Sequence, residues 1–125
     1  MLTIRQAQMD AFLAAMNESR ANRDLAPDLI ALGHADLANP THLALIGGDP
    51  GDEPRKRLSR FARRLRAEAR ADGITAPLLV LAYAALPFRF GGDWRGDPAV
   101  QAVLADPELD ERKRMQRIND HLANR

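Results

Sequence analysis

Three histidines, His34, His42 and His121, are the side chains of this sequence best suited to acid–base or metal chemistry near neutral pH. They are too far apart in the chain to form the i, i+4 pair with which a helix binds a metal. His34 and Asp36 could form half of an acid/base pair, but we interpret each histidine as a surface or loop residue. The chain has no cysteine, so thiolate metal sites and thiol nucleophiles are excluded. We expect no catalysis, no metal and no cofactor.

A glycine-rich stretch has the outline of a loop that offers backbone N–H groups to a phosphate at a helix N-terminus. Its sequence is LALIGGDPGDEPRK, residues 43–56. It lacks the Gly-Lys-Ser/Thr ending of a P-loop, and the carboxylates of Asp49, Asp52 and Glu53 would repel a phosphate. We interpret the stretch as a turn followed by the start of a helix.

A basic face is the first candidate for binding a partner. Six cations lie opposite the apolar stripe of one predicted helix: Lys56, Arg57, Arg60, Arg63, Arg64 and Arg70. Such an array could bind phosphates, but Glu68 and Asp72 lie on the same helix and the net charge of the chain is only +1. The sequence contains neither a helix-turn-helix motif nor a set of aromatic residues on which bases could stack. We therefore expect a solvated or acidic-protein-binding face, not a nucleic-acid site, with Arg60, Arg63 and Arg64 as candidate contacts.

A second candidate surface is the loop predicted over residues 88–96. It combines aromatic side chains, arginines and three glycines. Tryptophan and arginine are the residue types most often found as interface hot spots, so Phe90, Trp94 and Arg95 are candidate partner-binding residues. The alternative is that Phe88 and Trp94 close the end of the core, and one residue can serve both purposes.

Helices must position these side chains. Residues 76–88, APLLVLAYAALPF, are apolar on all sides, and a helix without a polar face must be enclosed by its neighbours. We predict a central helix over about 76–86 that is capped by Thr75 and ended by Pro87. Its roughly dozen apolar residues are fewer than the about 20 that cross a bilayer, so we assign it to a protein core.

An amphipathic helix is predicted at the start of the chain, from Thr3 to about Arg20. Arg5 lies on its apolar stripe and is a further candidate partner-binding residue, with snorkelling at the helix end as the alternative. The first twenty residues lack the continuous apolar run of a secretory signal. We expect a cytoplasmic protein without a membrane segment.

Other helix boundaries follow from capping residues. Asp52, Glu53 and Pro54 suit the start of the basic helix, and Gly73 suits its end. Asp-Pro pairs at residues 97–98 and 106–107 each predict an N-cap followed by a first-turn proline. Glycines and prolines break residues 21–51 into short pieces, with helical turns possible at 27–32 and 41–46.

Together these patterns predict one all-α domain over residues 1–125, a compact bundle of about five helices around the central apolar helix. Residues 21–51 are expected to be irregular and rich in loops. No segment shows sustained period-two alternation of apolar residues, which a half-buried strand would require.

Several motifs carry a resemblance to a known family. They are MLTIRQAQMDAF, DGITAPLLVLAYAALPFRFGGDW, DPAVQAVLADPEL and ERKRMQRINDHL. They resemble small helical bacterial proteins encoded beside spike, tip and effector genes of type VI secretion systems. The matching residues are Ile4, Arg5, Gln8, Gly73, Ile74, Thr75, Phe90, Gly91, Val103, Leu104, Asp106, Arg114 and Met115. The resemblance covers the first dozen residues and roughly 61–122, whereas residues 21–51 depart from the pattern.

The resemblance implies a non-catalytic adaptor or chaperone that holds, stabilises or loads a secreted effector, or bridges it to the spike. One alternative is an immunity protein that neutralises a cognate toxin, against which the basic face argues. Another is a nucleic-acid-binding regulator. Export together with the spike and the oligomeric state are left open.

Overall fold

The computed structural model describes residues 24–125, and the predicted N-terminal helix with Arg5 lies outside the described residues. The helices are α1 (Ala26–Ala31), α2 (Pro40–Ile46), α3 (Pro54–Ala71), α4 (Pro77–Phe90), α5 (Pro98–Ala105) and α6 (Glu111–Asn124). A short 3₁₀ turn, Trp94–Gly96, connects α4 to α5. The described residues contain no strand, so the predicted all-α bundle around one central helix is confirmed.

The apolar helix α4 occupies the centre of the bundle. It contacts α1, α2, α3, α6 and the 3₁₀ turn, and its buried residues are Val80, Tyr83, Ala84, Ala85, Leu86 and Pro87. Leu78 in its first turn is the exception, because 77% of that residue is exposed. The neighbours supply their apolar stripes, so burial of these faces is the main stabilising contribution to the fold.

The start of α4 differs from the prediction, because Thr75 does not cap it. Ala76 occupies the cap position, and the carboxylate of Glu111 at the start of α6 accepts the hydrogen bonds. Glu111 Oε2 lies 2.9 Å from Thr75 N and 3.0 Å from Thr75 Oγ1, while Oε1 lies 3.1 Å from Ala76 N. A carboxylate at this position also interacts favourably with the positive end of the helix dipole. Packing of α6 against α4 brings in a stronger acceptor than the threonine hydroxyl.

The end of α4 also corrects the prediction, since the helix passes through Pro87 and reaches Phe90. Proline removes one backbone hydrogen bond from a helix interior, but Pro87 is buried beside Leu86 and lies in the last turn, three residues before the end of the helix at Phe90. The helix ends where Gly91 adopts a φ of 98°, its N–H donating to the Pro87 carbonyl at 3.0 Å. Residues 88–90 are therefore helical, not part of the loop.

The other helix boundaries predicted from capping residues include two that are confirmed and one that is wrong. Asp97 accepts from the Ala99 N–H at 2.9 Å, and Gly73 ends α3 with a φ of 80°, both as predicted. Asp106 does not begin a helix: its side chain accepts from a turn N–H, and the cap lies four residues later at Asp110, so α6 begins at Glu111. Both aspartates suit a cap locally, and burial of the apolar stripe of α6 selects the second.

The short helices α1 and α2 lie where residues 27–32 and 41–46 predicted helical turns. Gly33 follows α1 with a φ of 77°. Both helices pack on α3 and α4.

Candidate functional site

A groove lies between α3, the end of α4 and the 3₁₀ turn, and it brings together three of the seven predicted partner-binding residues. Its volume is about 350 Å³. We call it the Trp94 groove, and it is lined by Leu45, Phe61, Arg64, Leu65, Glu68, Pro87, Gly92, Trp94 and Arg95. Apolar side chains line most of it, while Arg64, Glu68 and Arg95 are its charged residues.

Trp94 belongs mostly to the core. Only 2% of the residue is exposed, and its ring meets Tyr83 edge to face with centroids 5.0 Å apart. Its surroundings therefore match the second role that the sequence allowed for Trp94, which is to close the end of the core. Trp94 supports the groove but offers little surface of its own to a partner.

Arg95 is held in place by a carboxylate at the end of α3. Its Nη2 and Nε lie 2.7 and 3.0 Å from the two oxygens of Asp72, and the Tyr83 hydroxyl donates to the same carboxylate at 2.7 Å. Burial alone would raise the pKa of Asp72, but the hydrogen bonds from Arg95 and Tyr83 outweigh it, so the pKa lies below its usual value. The same contact raises the pKa of Arg95. The rim of the groove is thus fixed by a hydrogen-bond network that joins α3, α4 and the 3₁₀ turn.

The pKa of Tyr83 is raised, first by burial and then by the hydrogen bond to Asp72.

Arg64 is the unpaired cation of the groove. It is exposed, and its guanidinium carbon lies 5.1 Å from the centre of the Phe61 ring, within the range of a cation–π contact. It forms no ion pair with any described residue.

The remaining arginines of α3 fall into separate groups. Arg60 pairs with Asp52 at 2.7 Å and its side chain is 63% exposed. Arg63 is exposed and borders a shallow depression on the solvent side of α3, beside Arg60 and Lys56. Arg57 is not part of a free basic face: it donates to the carbonyls of Gly47 at 2.6 Å and Leu43 at 3.0 Å, and so caps the end of α2.

Phe90 lies apart from the Trp94 groove. Its carbonyl accepts from Arg125 at 2.8 Å, and the Arg89 guanidinium lies 4.8 Å from its ring centre. The ring is half-buried. The structure therefore separates Phe90 from Trp94 and Arg95, with which the sequence grouped it, and Arg5 lies outside the described residues.

Two histidines make contacts that the sequence did not predict. His42 Nδ1 accepts from the Asp36 N–H at 2.9 Å, so Asp36 meets His42 through its backbone. His121 Nε2 lies 2.9 Å from Asp97 Oδ2, and this contact, followed by the Ala99 N–H, lowers the pKa of Asp97. No group of three or more His, Asp or Glu side chains between residues 24 and 125 is placed to hold a metal ion.

Sequence reasoning missed several lining residues of the groove, namely Phe61, Leu65, Glu68 and Pro87. Phe61 and Leu65 were recognisable as the apolar stripe of α3. What could not be read was that the end of α4 and the 3₁₀ turn border this stripe and form a groove with it, although Phe61 and Leu65 are each only 5% exposed.

Comparisons with protein-family models, curated proteins and solved structures found no match for this chain. Within the described residues, none of the helices combines the length and apolar character that crossing a bilayer requires.

Proposed function

We propose that this protein is a non-catalytic protein-binding accessory factor, an adaptor or chaperone for a type VI secretion effector or spike component. The secretion context comes from the sequence resemblance alone. The binding role is supported by one observation: an apolar groove is bordered by Arg64, which lacks a carboxylate partner among the described residues.

The shape and charge of the Trp94 groove define the segment it would accept. A volume of about 350 Å³ suits one or two apolar side chains, and burying one of them contributes about 1.5–3 kcal/mol. An acidic residue next to that anchor would pair with Arg64. Because Asp72 already holds Arg95, the rim is ordered before binding, which lowers the entropy cost of association.

The experiment is co-purification of the tagged full chain from its native host, followed by identification of the retained protein. Arg64→Glu is expected to lose the partner, because it reverses the charge at the groove. Arg112→Glu is the matched control: Arg112 is also an exposed helical arginine, but it lies on α6 outside the groove. A secretion effector or spike component that is lost only from Arg64→Glu supports the proposal.

Three outcomes contradict it. If both variants retain equal amounts of the partner protein, the groove does not take part in the interaction. Protection of cells that co-express a toxic partner would identify an immunity protein instead, because a loading factor need not protect. A gel shift at low salt that weakens steeply as salt rises would favour a nucleic-acid-binding regulator.

A further inference from the structure

Arg66 presents an unpaired hydrogen-bonding edge inside the protein. Its Nε and Nη2 atoms are buried, and neither has a hydrogen-bond partner among residues 24–125. These two nitrogens form the side of the guanidinium whose parallel N–H groups match the two oxygens of a carboxylate or another oxyanion. A buried donor that lacks an acceptor is costly, so this edge is a candidate binding site.

The surroundings of Arg66 favour an anion. It lines a cavity of about 80 Å³ together with Asp24, Leu25, Ser59 and Arg63. The cavity exceeds the space that one water molecule needs, and Arg63 adds a second positive charge. Asp24, the carboxylate among the described lining residues, is directed to other donors: its oxygens accept from Ala26 N at 3.0 Å and from Ser59 Oγ at 2.7 Å.

The charge of Arg66 is poorly compensated where it lies. Burial, followed by the charge of Arg70, lowers the pKa of Arg66, and among the described residues only Asp24 acts in the opposite direction. Much of the hydration of this edge has been lost on folding, so an incoming anion gains its hydrogen bonds at a smaller desolvation cost.

This cavity is distinct from the Trp94 groove. Arg64 and Arg66 are two positions apart on α3, so their side chains leave the helix about 200° apart. Leu25, next to α1, borders the Arg66 cavity, whereas the 3₁₀ turn borders the groove. Occupation of one therefore does not require occupation of the other.

We propose that the Nε–Nη2 edge of Arg66 is a receptor for a single carboxylate or a small oxyanion, bound through two parallel N–H···O hydrogen bonds. Arg63 adds electrostatic attraction. Two sources share this chemistry, an acidic side chain of a protein and a free small anion.

The test follows the ¹H–¹⁵N signals of arginine Nε–H groups in the full chain. Sodium acetate and inorganic phosphate are titrated at constant ionic strength, with sodium chloride as the reference salt. The Arg66 Nε–H signal should move and saturate with acetate and phosphate, while that of exposed Arg112 should only drift. Arg66→Lys keeps the charge but removes the parallel donors, so acetate affinity, followed at neighbouring backbone amides, should fall by about tenfold.

Two peptides distinguish the sources. Acetyl-Ala-Glu-Ala-amide that saturates the same signal, while its Gln counterpart does not, identifies a protein carboxylate. Saturation by acetate and phosphate alone identifies a free small anion.

The proposal is overturned if the Arg66 Nε–H responds no more than Arg112. It is also overturned if that signal already shows a hydrogen bond without added anion and stays unchanged throughout. The titration of the wild-type chain tests anion binding at Arg66 even if Arg66→Lys fails to fold. Its result does not depend on the identity of the native protein partner.

Discussion

Replacing Asp72 by asparagine tests the network that joins α3, α4 and the 3₁₀ turn. The carboxylate accepts two hydrogen bonds from Arg95 and one from Tyr83, and its side chain is 9% exposed. Asparagine keeps the shape but replaces one acceptor oxygen with an NH₂ group. Whichever way the amide turns, its NH₂ then faces either the tyrosine hydroxyl or the arginine fork, both of which are donors here.

The expected loss of unfolding free energy at pH 7 is about 2 kcal/mol. In either orientation of the amide a donor of the network loses its acceptor, which costs about 1–3 kcal/mol, and the remaining hydrogen bonds lose the charge of the carboxylate. The ion pair adds little, because the Arg95 side chain is 45% exposed and solvent screens it. Tyr83→Phe removes one donor and leaves the ion pair, so it should cost less, about 1 kcal/mol.

The loss should depend on pH in a defined direction. Because the folded pKa of Asp72 is lowered, its ionised form stabilises the protein at pH values above the unfolded pKa of about 3.9. That stabilisation is lost as pH falls through the folded pKa. The difference between wild type and Asp72→Asn should therefore be constant from about pH 5 to 8 and shrink below about pH 4.

Urea denaturation of wild type, Asp72→Asn, Tyr83→Phe and the double variant measures these quantities. The two substitutions should be coupled, since they share one hydrogen bond. A loss below about 0.3 kcal/mol at pH 7, or a loss that persists unchanged at pH 3, would refute the reasoning.

Two further substitutions test local features. Gly73→Ala should lower the free energy of unfolding by about 1–2 kcal/mol, because the left-handed backbone disfavours a side chain and a Cβ there would lie 2.7 Å from Arg114 Nη1. The control Gly96→Ala should be near neutral, because a Cβ there meets open space. Equal changes in Tm for the two variants would contradict this prediction. Glu111→Gln should cost about 1 kcal/mol by weakening the cap of α4, measured by urea denaturation against exposed Glu108→Gln, and a loss no larger than the control's would be the contrary result.

The Trp94 groove shows how far periodicity predicts a site. Spacing placed Phe61 and Leu65 on the core stripe of α3 and the arginines on other sides, and the structure agrees. Periodicity gives the direction of a side chain around its own helix. It does not show how closely a neighbouring element packs on that side, so the groove beside the stripe could not be predicted.

The partners of charged residues were even harder to predict from the sequence. The partners of Asp72 lie 11 and 23 residues away, and those of Glu111 about 36 residues away. Arg57 lies among the cations of α3 in sequence but caps the end of α2. In each case many residues could have served as the partner, and helix packing selected one.

The sequence by itself determined the helical class, the central position of α4 and the stops at Gly33 and Gly73, because these depend on local periodicity and on backbone angles that few residues adopt. Only the tertiary structure decided that α4 passes through Pro87 and that α6 begins behind Asp110. The same holds for the unpaired edge of Arg66. These features depend on burial and on donors and acceptors from distant parts of the chain, which the sequence does not bring together until it folds.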